Sequence, residues 1–393
     1  MKKIIVYDDE ENVGKKYEEK LLKIPEVKKD FSVEALFNKE FAAEISVLEK
    51  RREDFRNNKK SVVDSKFDEA TVLIIDYDLL KNSRNEYLTG ENVAYLARCY
   101  SKCLFIVGIN QFPPYDNAFD LTLRDHPDSY CDLNIDSTQL LNHGLWSENS
   151  QKFRPWYWPI IPKYLSSAEK RIKEIQKNLD NSVLEEIGLQ PFFVLFSRSS
   201  SEFLGNDPEH VTFREFALKS GKGLRGKDSN EDDYMVASIA SSRIASWLEK
   251  TVLAGQDILV DAPHLVARYP SLLEGPHDGQ ETWNSIAKPQ FVDDLNIDSS
   301  KLNRYRFKKE IWLSRPAWLW SDVCKDQQIK EVATPWKREK IKYLFCEDSS
   351  TFEKQKSCLE FRADVDSVYT QRYVNSPLID GVNYQPRVRI LQT

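Results

Sequence analysis

Apolar residues in the first part of the chain come in short runs that break off at acids, separated by segments of helical spacing. Ile4 to Tyr7 stops at Asp8-Asp9-Glu10, and Val13, Tyr17 and Leu21 follow four apart, which predicts strand, acidic loop and amphipathic helix. Phe31 to Phe37 predicts a second strand, and Phe41 to Phe55 a long charged helix with Ile45 and Leu48 on one face. Thr71-Val72-Leu73-Ile74-Ile75 has the unbroken apolar character of a buried parallel strand and ends at Asp76-Tyr77-Asp78. Beyond a polar stretch, Val93, Leu96, Ala97 and Tyr100 give the next helical face, and Cys103 to Gly108 the next buried strand.

Strands and helices alternating at this spacing imply a parallel sheet covered by helices, each crossover right-handed. Ligands of such sheets bind beyond the carboxyl ends of the strands, where the strand order reverses. Asp8, Asp9 and Asp76 fall at that edge, at the ends of two strands expected to be neighbours. Carboxylates gathered in one place raise each other's pKa unless a cation joins them. Mg²⁺ is the natural partner, since it takes oxygen ligands and keeps waters that a phosphate can replace. One of the carboxylates can then act as nucleophile toward a phosphoryl group. Either strand end by itself would read as helix capping or as solvent-facing acids. Two ends in matching register favour the metal and phosphoryl reading. Asp78 is expected to offer its backbone carbonyl rather than its side chain.

With Ile4-Ile5-Val6-Tyr7-Asp8-Asp9-Glu10, Val72-Leu73-Ile74-Ile75-Asp76, and Thr89-Gly90-Glu91 leading into the next helix, the stretch resembles a response-regulator receiver domain. The resemblance covers roughly the first 125 to 150 residues. It implies a flavodoxin-like, doubly wound parallel sheet of five strands, Asp76 as acceptor of a phosphoryl group from a sensor histidine kinase, and Asp8 and Asp9 as Mg²⁺ ligands. Two departures from the family pattern stand out. Gly108 occupies what reads as the end of the fourth strand, where receivers carry Ser or Thr. The Lys-Pro pair expected after the fifth strand has only Arg124 as a counterpart, following Phe119 to Leu123, or none if Tyr130-Cys131-Asp132-Leu133 is the true fifth strand. An arginine can neutralise a phosphoryl oxygen, although its planar fork differs from an ammonium. Phosphorylation is therefore expected without the usual switch contact.

At 393 residues the chain exceeds what one core usually organises, and a boundary is expected near residue 160. Residues 1–160 would be the receiver-like domain and 161–393 a helix-rich, mixed α+β domain of unknown role. The boundary follows Phe153-Arg154-Pro155-Trp156-Tyr157-Trp158-Pro159, whose rings read as packing anchors between domains. Further on, Pro191 to Phe196 predicts a strand, Val211 to Leu218 a short helix, and Val236 to Val252 a long core helix of the second domain. Gly221-Lys222-Gly223-Leu224-Arg225-Gly226-Lys227-Asp228 fits G-x-G-x-x-G, but the residues before it look helical, so it reads as a basic loop rather than a phosphate cradle. Lys301 to Trp320 interleaves basic and aromatic residues, a composition that suits stacking on nucleic acid but reads first as a helix with a buried aromatic stripe. Tyr343 to Cys346 predicts a buried strand ending in Glu347-Asp348, and Asp261-Ala262-Pro263-His264 a local turn.

Composition narrows the function classes. Lys and Arg number 56 against 62 Asp and Glu, a net charge of -6, so no global positive field draws the chain to nucleic acid or anionic lipid. No apolar stretch approaches membrane-spanning length and the N-terminal run is too short for a signal peptide, which predicts a cytoplasmic protein. The six cysteines lack a C-x-x-C pair and are expected to be reduced, mostly buried thiols. Five histidines without H-x-x-x-H or H-x-E spacing give a zinc hydrolase no support.

The leading expectation is a phosphoacceptor signalling protein rather than an enzyme, with a receiver able to pair as a homodimer. By resemblance, receivers with long unfamiliar C-terminal regions look like components of bacterial antiviral or stress two-component systems, one type acting as a phosphate sink or regulator. The alternative is an effector enzyme acting on nucleotides or nucleic acid through the C-terminal region, with Arg225, Lys227, Glu347 and Asp348 as its candidates and the receiver as its control element.

Overall fold

The computed structural model describes residues 1–59, 63–79, 88–110, 126–147, 159–219, 224, 232–261, 264–265, 304–325, 343–346, 351–362 and 371–375. Two compact units interleave along the chain. One comprises Met1–Ser147, Ile161–Gln190 and Ser197–Ser246, and the other Glu148–Ile160, Pro191–Phe196 and Trp247–Thr393.

The first unit is α/β. Its strands are β1 (Lys2–Tyr7), β2 (Phe31–Ala35), β3 (Val72–Asp76), β4 (Phe105–Asn110) and β5 (Leu133–Asp136), all parallel, in the order β2-β1-β3-β4-β5. That order is consistent with a flavodoxin-like fold, and its direction reverses between β1 and β3. Helices α1 (Glu11–Leu21), α2 (Pro25–Asp30), α3 (Asn38–Arg56) and α4 (Gly90–Tyr100) connect the strands. Ile4 to Tyr7, Val72 to Ile75 and Phe105 to Val107 are fully buried, as the unbroken apolar runs require. Each such side chain contributes roughly 1.5–3 kcal/mol by leaving water. In α4, Val93, Leu96, Ala97 and Tyr100 are buried as their spacing predicts, and the Thr89 hydroxyl accepts from the Asn92 amide to cap its start.

Later helices complete this unit: α5 (His143–Trp146), α6 (Ile161–Lys177), α7 (Val183–Glu186), α8 (Arg198–Glu202), α9 (Phe213–Lys219) and α10 (Asp233–Trp247). A buried polar cluster fastens α6 and α10 to the sheet. Asp132 pairs with Arg98 of α4 and accepts from the Tyr164 hydroxyl of α6 at 3.2 Å, the Ser242 hydroxyl of α10 at 2.6 Å and the Ile106 amide at 2.8 Å. Arg171 of α6 donates to the Ser241 hydroxyl, and Arg243 of α10 donates to the Ser129 carbonyl and lies over the Tyr130 ring. From Val236 to Leu248 every residue is buried, which Ser and Ala make possible at so many positions of one helix. This helix, expected to core a second domain, is thus joined to the parallel sheet up to Ser246. Its polar residues hold it there, and helical periodicity alone could not reveal their partners.

Several other expectations are corrected. Gly108 does not end β4, which runs on through Ile109 to Asn110. A Cβ at Gly108 would meet Asn134 Oδ1 at 2.5 Å and Cys131 Sγ at 3.1 Å, so a neighbouring side chain crosses over the strand there. The fifth strand is Leu133–Asp136, which shares only Leu133 with the expected Tyr130 to Leu133 segment, because the Asp132 side chain is drawn into its polar cluster. Phe119 to Leu123 lies outside the described residues. Gln190–Leu195 is a 3-10 helix rather than a strand: Pro191 lacks an amide donor, and among the described residues no strand pairs with the segment.

In the second unit, β6 (Leu259–Asp261) and β7 (Ala317–Leu319) pair antiparallel. Strands β8 (Tyr343–Cys346), β9 (Thr351–Lys354), β10 (Cys358–Arg362) and β11 (Gln371–Asn375) form a second sheet in the order β10-β11-β8-β9. The basic and aromatic stretch is not one helix. It forms a 3-10 turn at Glu310–Trp312, then β7, then a helix at Trp320–Lys325. Tyr305, Phe307, Trp312 and Trp318 are buried, while Arg306 and Arg315 pair with Glu310 and Glu249. These four rings are core rather than a stacking surface, while Trp320 is half-buried. Asp261 accepts from the His264 amide at 3.1 Å, the local turn the sequence predicts, and pairs with Arg372. Among the described residues no helix is long and apolar enough to cross a membrane.

Candidate functional site

The reversal of strand order sets the carboxyl ends of β1 and β3 side by side, with Tyr7 paired to Ile75. Asp8 and Asp9 follow the first strand and Asp76 ends the second. One carboxylate oxygen from each of the three lies within 4.8 Å of the others, an arrangement able to hold a metal ion. Asp8 is buried, and Asp9 and Asp76 are half-buried.

Local structure explains the convergence. Asp8 Oδ1 accepts from the Glu10 amide at 2.8 Å, which turns the chain out of β1 and into α1. Asn38, the first residue of α3, donates its side-chain amide to the Asp9 carbonyl at 3.2 Å and accepts from the Tyr7 hydroxyl at 3.1 Å. The loop bearing the acid pair is thereby tied to the next βα connection. Past β3, the Tyr77 amide donates to the Ile109 carbonyl and the Gly90 amide to the Tyr77 carbonyl. Gly90 packs so closely that a Cβ there would lie 2.6 Å from Tyr77 Cα and 2.8 Å from the Asp76 carbonyl oxygen.

Burial pushes the Asp76 carboxyl up to about 7, and the charge of Asp8 pushes in the same direction. The Asp78 amide works against this by donating to the Asp76 carboxylate, while the charges of Asp9 and Asp78 add to the rise. A cation among these oxygens would remove the repulsion, so the donor set fits a hard metal ion. The Asp78 side chain is exposed and outside the cluster of three.

Asp8, Asp9 and Asp76 are therefore brought together as their positions in the sequence predict. Arg124 precedes β5 in the chain and lies outside the described residues, as do Arg225, Lys227, Glu347 and Asp348. From Leu133 to Ser147 the chain has neither Lys nor Arg. Sequence reading missed Asn38 and Tyr7 as supports of the acid loop. A polar residue opening a long helix, and a tyrosine as the last residue of an otherwise aliphatic strand, were the available signals.

A second cluster lies behind Gly90. The Glu91 carboxylate accepts from the Ser129 hydroxyl at 3.0 Å and from the Tyr130 amide, and Tyr77 donates to it at 3.5 Å. These bonds link the residue after Asp76 to the segment preceding β5. No family model, curated protein or solved structure matches the chain.

Proposed function

We propose that the first unit is a receiver-like signalling domain, flavodoxin-like and doubly wound, whose Asp76 accepts a phosphoryl group from a histidine kinase. Asp8, Asp9 and Asp76, with the Asp78 backbone carbonyl, would hold Mg²⁺. The observation carrying this reading is the meeting of three carboxylates at the point where the parallel strand order reverses.

Bound there, Mg²⁺ would neutralise charge on the transferring oxygens. Asp76 would serve as nucleophile: its carboxylate oxygen forms a bond to phosphorus while the bond from phosphorus to the kinase imidazole breaks, leaving neutral histidine once a proton is taken up. The Asp78 amide holds the Asp76 carboxylate by a hydrogen bond during attack. Burial that raises the Asp76 pKa to about 7 leaves the carboxyl only partly ionised near neutral pH, and a bound cation would favour its ionised, nucleophilic form. The absence of Lys and Arg from Leu133 to Ser147 leaves the Lys-Pro pair of the family pattern without a counterpart directly after the fifth strand. A cytoplasmic phosphate sink or regulator beside a separate effector in antiviral defence suits that chemistry by resemblance.

Incubating the full chain with acetyl phosphate and Mg²⁺ and recording the intact mass tests this. The expected result is a gain of about 80 Da that disappears in Asp76→Ala. An unmodified wild-type chain, or an adduct retained by the variant, would overturn the assignment.

A further inference from the structure

In the second unit, two of the six cysteines face each other at one end of the four-stranded sheet. Cys346 is the last residue of β8 and Cys358 the first of β10, and β11 registers both, with Tyr373 opposite Cys346 and Asn375 opposite Cys358. Their sulfurs are 3.4 Å apart. A disulfide needs about 2.0 Å between sulfurs, so the two sulfurs must approach by roughly 1.4 Å more for the bond to form. Cys346 is fully buried and Cys358 half-buried, so Cys358 is the more accessible of the two to a small oxidant, with Cys346 sheltered beside it. Cys358 Sγ also lies 3.3 Å from the Lys354 carbonyl, which tethers it at the turn into β10.

We propose that Cys346 and Cys358 are a redox-active thiol pair that closes to a disulfide on exposure to a hydroperoxide and reopens with a small thiol reductant. Cys358, as thiolate, attacks one peroxide oxygen; the O–O bond breaks, and the departing hydroxide takes up a proton to leave as water. The resulting sulfenic acid is attacked by the Cys346 sulfur, the S–O bond breaks, and a second water leaves. Two thiols and one hydrogen peroxide become one disulfide and two waters, the two electrons passing from sulfur to oxygen. The product is a cross-link between β8 and β10 that encloses β9. A reductant thiolate reverses it by exchange. Cys99, Cys103 and Cys131 are buried among the elements of the parallel sheet, and burial pushes the Cys103 thiol up to about 12, which leaves it unreactive.

The test exposes the full-length chain to hydrogen peroxide, alkylates the remaining thiols and maps tryptic peptides. Cleavage after Lys342, Lys354, Lys356 and Arg362 puts the two cysteines on separate peptides, 343–354 and 357–362. The expected result is a loss of about 2 Da with those peptides joined, and their separation by dithiothreitol. In Cys346→Ser, Cys358 should instead yield a dimedone-trapped sulfenic acid. Because Cys324 is exposed, the map is repeated in Cys324→Ser to exclude exchange through it. Six alkylated thiols after treatment, or a cross-link joining any other pair, would overturn the proposal. The wild-type map decides the matter even if a serine variant fails to fold.

Discussion

The carboxylates of Asp8 and Asp76 come within 4.8 Å of each other across the junction of β1 and β3, and the charge of Asp8 helps hold the Asp76 carboxyl near pH 7. Their mutual repulsion makes this edge of the sheet sensitive to both protons and cations.

Without metal, the folded pKa of Asp76, about 7, lies above its ordinary value of 3.8. The folded chain then keeps a proton that the unfolded chain has already released. The Asp76 contribution to stability is fully present below about pH 4 and is lost as pH rises through 7, by up to about 4 kcal/mol. Urea unfolding in EDTA should therefore show Asp76→Asn gaining on the wild type between pH 5 and pH 8. Parallel pH profiles for the two chains would refute this.

Gly90 opens a helix, where alanine is normally favoured by about 1 kcal/mol. Here the added Cβ would meet backbone atoms of Tyr77 and Asp76 that have no side-chain freedom to yield. Crowding of that kind costs roughly 1–3 kcal/mol, so Gly90→Ala should be destabilising and should weaken cation binding by shifting Asp76. A thermal melt showing the variant at or above wild-type stability would rule out the close packing.

Asp132 is the hub on which α4, α6 and α10 meet. Asp132→Ala would strand the Arg98 guanidinium in the interior, a loss of about 3–5 kcal/mol. Proteolysis in the variant should begin within α6 or α10 before it reaches the sheet. Replacing the pair together, Arg98→Met with Asp132→Leu, should recover much of the stability, because no unpaired charge then remains. Equal loss in the single and double variants would show that the charge pair is not what holds the helices.

Runs such as Val72 to Ile75 made the core of the sheet legible, since a strand buried on both faces leaves an uninterrupted apolar signature. The three acids were legible because each stands where such a run stops. The fifth strand was not: Leu133-Asn134-Ile135-Asp136 is short and alternates with polar residues, and Asn134 is buried over Gly108. Arg98, Arg171 and Arg243 were equally hidden. Each sits on a helix where a charge normally marks the solvent face, and partners distant in sequence, Asp132, Ser241 and the Ser129 carbonyl, help make its burial tolerable. The aromatic and β-branched residues from Pro191 to Phe196 suggested a strand, but composition carries no information about whether a pairing partner exists.

Calorimetric titration of the full chain with Mg²⁺ at pH 8 bears most directly on the acidic site. The geometry predicts a single binding event, abolished in Asp8→Asn and in Asp76→Asn and unchanged in Asp78→Asn, whose side chain lies outside the cluster. Absence of binding by the wild-type chain, or equal affinity in all four proteins, would contradict it.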